Sequence, residues 1–141
     1  MEAKINLEQH LDPWVNLPSG YVGHVMKGLA TGGLSIQASW MDPRDPRDST
    51  IVYADDTART STGALRALVW DEETGWRDGV FVSGEQGVRT KLTDVTYLGG
   101  GLLVDGAELA RRKHDDVRVA RPVYRSRHDL RDGLDDTLRT Y

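Results

Sequence analysis

LVWDEETGWRDG, residues 68–79, sets Trp70 and Trp76 on either side of a short acidic turn. Asp71 can accept backbone N–H bonds at the start of the turn and Gly75 can adopt positive φ, so the stretch predicts a β-hairpin. Its register decides the fold, because a slip of one residue moves every side chain of a strand to the opposite face. A four-residue loop pairs Asp71 with Trp76, then Trp70 with Arg77, Val69 with Asp78, Leu68 with Gly79 and Ala67 with Val80. Leu65, Ala67, Val69, Trp76, Val80 and Val82 then share a core face, while Trp70 falls on the other with Leu68, Phe81, Arg66 and Arg77. A three-residue loop, Glu72 against Trp76, would bring both indoles to one side. The four-residue loop is preferred because it gathers the aliphatic residues on a single face, and it predicts that the tryptophans point apart.

Outward from the hairpin, LSIQASW (34–40) alternates Leu34, Ile36, Ala38 and Trp40 against polar residues, as a half-buried strand does. IVYA (51–54) and TDVTYL (93–98) read as further strands. DPRDPRD (42–48) reads as a stiff exposed connection and DDTARTSTG (55–63) as a polar loop. Before the strands, Ser19 stands at a helix start, and Val22, Val25, Met26 and Leu29 follow at helical spacing up to Gly32 and Gly33. Residues 1–18 form a lead-in pinned by Trp14, with at most a helical turn before Pro13. After the strands, Asp105 and Glu108 match a capping box that opens a helix to about residue 113. Ser126 and Asp129 repeat the start signal, and Leu130, Leu134, Leu138 and Tyr141 share a face despite Gly133. The predicted fold is α+β: an antiparallel four- to five-stranded meander with N- and C-terminal helices packed on one face. Residues 1–113 form one domain, and 114–141 a basic linker with a C-terminal amphipathic helix.

At 141 residues a single domain removes about 68% of its unfolded surface from water, enough for one core. The absence of cysteine excludes a disulfide framework, a thiolate metal site and a cysteine nucleophile. The start lacks the pattern of a secretory signal and no apolar run approaches the ~18 residues of a membrane span, so the sequence predicts a cytoplasmic protein with no membrane contact. The net charge of −4 divides unevenly. Residues 1–110 carry 9 Lys+Arg and 16 Asp+Glu, a net of −7, whereas 111–141 carry 9 and 6, a net of +3. The excess lies in RRKHDDVRVARPVYRSR (111–127), which predicts contact with something acidic, on the chain's own body or on a second copy.

LVWDEETGW, followed by YLGGGLLVDGAELARR (97–112), resembles the central block of a family of small uncharacterised actinobacterial proteins, a domain of unknown function with a WDExxGW hairpin and a YLGG-helix segment. The resemblance covers residues 20–113 and implies a small cytoplasmic α+β domain; it supplies no activity or catalytic residue. The third glycine of the LGGG run and the basic extension depart from the family pattern.

No motif carries a recognisable chemistry. Gly99, Gly100 and Gly101 lack the lysine and spacing of a phosphate or dinucleotide loop and read as a strand-to-helix joint. DEETG lacks the ligand spacing of a calcium loop, and His10, His24, His114 and His128 are scattered, so no metal and no cofactor is predicted. Asp55/Asp56 and Asp115/Asp116 read as solvated loop charge. For nucleic acid, residues 111–127 offer Tyr124 alone for stacking, which disfavours that partner. The leading expectation is a non-catalytic cytoplasmic interaction or regulatory module, self-associating as a homo-oligomer through an arm of Leu130, Leu134, Leu138 and Tyr141. The alternative is a small-molecule binder, or a small cofactor-free enzyme, with an aromatic and arginine pocket formed by Trp70, Leu68, Phe81, Arg66 and Arg77 with Tyr53. The sequence leaves open whether the protein is catalytic.

Overall fold

The computed structural model describes residues 7–42, 46–54 and 65–141. In chain order the elements are α1 (Pro13–Asn16), α2 (Ser19–Thr31), β1 (Ser35–Asp42), β2 (Asp48–Ala54), β3 (Leu65–Asp71), β4 (Gly75–Glu85), β5 (Val88–Tyr97), α3 (Gly106–His114) and α4 (Leu134–Leu138). The strands form an open five-stranded antiparallel sheet in sequence order, so the α+β meander stands. The predicted polar loop 55–63, Asp55 and Asp56 included, lies outside the described residues, as do residues 43–45 of the DPRDPRD connection.

The hairpin corrects the predicted register. Asp71 Oδ1 accepts the backbone N–H of Glu73 at 2.8 Å and of Thr74 at 2.7 Å, winding the turn tightly from its first residue. Gly75, at φ +74°, is then already paired, opposite Asp71. Its positive φ lets β4 begin after only three loop residues, where the sequence reading had spent Gly75 inside the loop. Trp70 therefore faces Trp76, Val69 faces Arg77 and Leu68 faces Asp78, and the two indoles lie on the same side of the sheet. The slip runs opposite to the Glu72–Trp76 alternative but has the same parity.

The indole face is the main core. Met41, Ile51, Tyr53, Leu68, Trp70 and Trp76 form one buried cluster with Tyr21, Val22, Val25, Met26 and Leu29 of α2 and Leu109 of α3. Tyr21 binds the pair together, its ring centroid 6.0 Å from that of Trp70 and 6.4 Å from that of Trp76. Its hydroxyl donates to the Val104 carbonyl at 2.6 Å and accepts Trp76 Nε1–H at 3.0 Å, while Trp70 Nε1–H donates to the Leu102 carbonyl at 2.9 Å. Both indole N–H groups are thus satisfied within the core, as burial requires. Helices α2 and α3 cross at glycines: a Cβ on Gly28 would stand 2.5 Å from the carbonyl carbon of Gly106.

The predicted core face is the second, thinner one. Ala67 is buried there with Trp40 and Val52, flanked by Phe81 and Leu92, whereas Leu65 and Val82 are exposed. A register shift between Ile36 and Ala38 splits the single face expected of β1: Ile36 packs with the main core and Trp40 with the second cluster. The ribbon of β4 and β5 is irregular along its length, and Gln86 near its tip donates to the Met41 carbonyl at 2.9 Å, so it curls back to β1.

At the helix ends, Asp105 accepts the Ala107 N–H at 3.0 Å and opens α3 where predicted, while Glu108, the expected second half of the capping box, accepts from Arg111 at 2.7 Å and Arg112 at 3.1 Å instead. Ser19 is the first residue of α2 and Pro18 occupies its cap position. The N-terminal turn follows Pro13, because Asp12 accepts the Trp14 N–H at 2.9 Å and proline suits a first helical turn. The long C-terminal helix is reduced to α4, since Gly133 at φ +85° is its N-cap and not an interior residue. No helix among the described residues is long and apolar enough to cross a membrane.

Candidate functional site

The register that turns both tryptophans inward turns their neighbours onto the other face. Asp71 ends β3 opposite Asp48, and Asp48 begins β2 opposite Asp42, so three aspartates stand in a row across adjacent strands. Gly75 continues the row on β4, and Arg77, two residues along on the same face and opposite Tyr97 of β5, sets a cation beside it. Here the sheet floors a cavity of about 430 Å³. Asp48, Asp71 and Arg77 form its base, Arg89 and Tyr97 a wall, and Pro46, Glu73, Arg121 and Arg127 its rim.

Most of the charge is internally matched. Arg77 pairs with Asp71 at 2.9 Å and Arg127 with Glu73 at 3.2 Å. Asp48 is not so matched: it is 3% exposed, and its Oδ1 is buried without a hydrogen-bond partner among the described residues. Burial raises its pKa most and the Asp42 carboxylate next, with Asp71 adding to them against the pull of Arg77 and Arg89, and the result is about 7. Near neutrality Asp48 therefore shares its time between carboxyl and carboxylate. Among the described residues, Arg89 and Arg121 make no hydrogen bond or short ion pair. The pocket thus holds guanidinium groups available to an anion beside a buried acid with an unsatisfied oxygen. No three acidic or histidine side chains among the described residues converge as a metal ion would require.

The six residues of the sequence-predicted ligand face do not assemble. Trp70, Leu68 and Tyr53 are fully buried in the main core beneath the helices. Arg66 lies at the margin of that face, its Nε 3.3 Å from Tyr53 Oη, and Tyr53 Oη donates to Asp78 Oδ1 at 2.7 Å. Lys113 of α3 closes this edge, 4.6 Å over the Tyr53 ring and 3.9 Å from Asp78. Arg77 and Phe81 lie on the opposite face, Arg77 in the new pocket and Phe81 against Trp40. The sequence reading missed Asp48, Arg89, Tyr97, Arg121 and Arg127. A signal existed for Asp48: Asp42 and Asp48 are symmetric ends of a hairpin, so extending both strands inward would have paired them.

The acidic turn has a structural occupant. Glu72, 2% exposed, accepts Arg47 Nε at 2.9 Å and Arg125 Nη1 at 2.9 Å. Glu73 accepts the backbone N–H of Arg127 at 2.9 Å, and its own carbonyl accepts that of Tyr124 at 2.8 Å. The basic segment thus lies on the chain's own acidic hairpin. Arg47, expected on an exposed connection, is 2% exposed. Of the apolar stripe, Leu134 and Leu138 are buried in the chain's main core, Tyr141 packs against Tyr21 at 5.2 Å between centroids, and Leu130 is 78% exposed.

Residues 21–115, about two thirds of the chain, match the Family of unknown function (DUF6292). The chain belongs to DUF6292. The match runs from α2 through α3, and so contains both tryptophans, the aspartate row, Arg77, Arg89 and Tyr97. Arg121 and Arg127, on the rim, lie beyond the matched segment of this DUF6292 chain. Neither a curated protein nor a solved structure matches it.

Proposed function

We propose that this DUF6292 protein is a small-molecule-binding module whose anionic ligand occupies the Asp48 pocket, in the cytoplasm of an actinobacterium. The single observation that carries the reading is Asp48, whose buried Oδ1 has no hydrogen-bond partner among the described residues, at the base of an open cavity. Burying an unsatisfied polar group costs about 1–3 kcal/mol, a cost that folding alone does not repay. Arg89 and Arg121 supply the attraction for an anion, and guanidinium forks suit carboxylate and phosphate alike. The cytoplasmic and actinobacterial setting is supported by the sequence resemblance and the cysteine-free composition.

Titrating isotope-labelled protein with acetate and with inorganic phosphate, at constant ionic strength, while following the arginine Nε–H resonances tests this. Saturable shifts of Arg89 and Arg121, lost in Arg89→Ala, are expected. Shifts spread evenly over all arginines, or none, would overturn the reading.

Self-association has narrower footing. Leu130 and Val123 of the C-terminal segment are 78% and 65% exposed, an apolar surface that a second copy could cover. Light scattering of the parent against Leu130→Asp decides it, and two identical monomers would end that reading.

A further inference from the structure

We infer that the ligand of this pocket is a zwitterion, an α-amino acid or a molecule carrying the same ammonium and carboxylate groups. The inference rests on the small-anion reading above and adds a cationic group to the ligand.

The argument begins with the aspartate row. Like charges directly opposite on neighbouring strands destabilise a sheet, and here Asp42, Asp48 and Asp71 stand in consecutive cross-strand positions. Asp71 has Arg77 and its own turn to bond. Asp48, between the other two, has a buried oxygen with no hydrogen-bond donor among the described residues, and Arg77 and Arg89 act on it through their charge without a short ion pair. What the cavity base lacks is therefore a compact hydrogen-bond donor bearing positive charge, which an ammonium group provides with three N–H bonds.

The opposite requirement holds at the wall and rim. Arg89 and Arg121 line the same cavity with no hydrogen bond or short ion pair among the described residues, and a carboxylate is the group a guanidinium fork binds best. Other small molecules fit worse. A diamine leaves both guanidinium groups unanswered, a dicarboxylate places a further negative charge against Asp48, and a hydroxy acid supplies a donor without charge. The volume, about 430 Å³, lies toward the small end of ligand pockets. Its predominantly charged lining selects a small, polar ligand over a bulky apolar one.

Calorimetry on the full chain tests this with inorganic phosphate and three sets of organic probes: the proteinogenic L-amino acids, their 2-hydroxy acid counterparts and their decarboxylated amines. At least one amino acid should bind, with its hydroxy acid about tenfold weaker or more and its amine weaker still. Asp48→Asn, which removes a buried charge and leaves the fold unstrained, should reduce the amino-acid preference to about twofold or less and retain hydroxy-acid binding. Arg121→Ala, at an exposed position, should weaken both. Hydroxy acids binding as tightly as amino acids, or amino-acid preference surviving in Asp48→Asn, would overturn the zwitterion while leaving the anion pocket in place. Failure of amino acids, hydroxy acids and inorganic phosphate alike would overturn both.

Discussion

Asp48 is surrounded by groups that pull its proton both ways: Asp42 on β1 and Asp71 on β3 hold it, Arg77 on β4 and Arg89 on β5 release it, and burial decides for retention. Glu73, Arg121 and Arg127 close the rim. An aspartate titrates near 4 in an unfolded chain, but here near 7. Between those values the folded protein keeps a proton that the unfolded chain has released, so stability falls as pH rises from about 4 to about 7 and is level above that. Three pH units correspond to about 4 kcal/mol, an upper limit. Asp48→Asn should flatten urea-derived stability over this window and exceed the parent above pH 7; an unchanged slope would assign the titration elsewhere. A second single-atom prediction concerns Tyr21, whose hydroxyl pKa burial pushes above its ordinary value. Tyr21→Phe removes the partner of Trp76 Nε1–H and of the Val104 carbonyl, both deep in the core. A loss of about 2–4 kcal/mol is expected, read as a lower urea midpoint at constant slope. A midpoint unmoved from the parent's would mean that these bonds contribute nothing.

Among the elements, the crossing of α2 and α3 admits the sharpest contrast. Gly28 and Gly23 lie on the same helix, yet a Cβ at Gly28 meets Gly106 backbone at 2.5 Å while one at Gly23 meets nothing within 4 Å. Gly28→Ala should destabilise by about 1–3 kcal/mol despite alanine's better helix propensity, and Gly23→Ala should stabilise by up to about 1 kcal/mol. Thermal or urea unfolding showing the same sign for both would refute the close crossing. The contrast also marks what the sequence could show. Helix α2 was legible because the spacing of Val22, Val25, Met26 and Leu29 is local, and α3 because Asp105 caps its own helix. The strands were legible from alternation, but their pairing was not: it turned on the φ of Gly75 and on a shift between Ile36 and Ala38, neither of which composition records. The candidate site depended wholly on that parity. Asp48, Asp71, Arg77 and Arg89 come from four strands and converge only once the register is known, whereas the predicted aromatic face dissolved when Trp70 turned inward.

At the scale of the whole molecule, the division of charge becomes a latch. Glu72, at the hairpin turn, bonds Arg47 ahead of β2 and Arg125 of the C-terminal segment. Arg125 also pairs with Asp132, and Arg47 continues to Asp135 of α4 at 2.7 Å while its guanidinium stacks 4.4 Å over Trp14. One carboxylate thus joins the lead-in, the connection before β2, the turn and the tail. Such a pair is weak evidence of net stability against an apolar substitute, but removing one partner strands the other, at about 3–5 kcal/mol. Glu72→Ala should therefore leave Arg47 and Arg125 without their shared acid and loosen the tail before the sheet. Trypsin should cut within residues 118–131 of the variant while its far-ultraviolet circular dichroism remains that of the folded parent. Because Arg121 and Arg127 of that segment form the cavity rim, the same variant should lose anion affinity without any change to Asp48 or Arg89. Asp136→Ala is the control: its pairing with Arg139 is exposed, and such pairs contribute little, so neither cleavage nor affinity should change. Equal tryptic resistance in the parent and Glu72→Ala would show that Leu134 and Leu138, buried in the core, hold the tail unaided, and would separate the latch from the pocket.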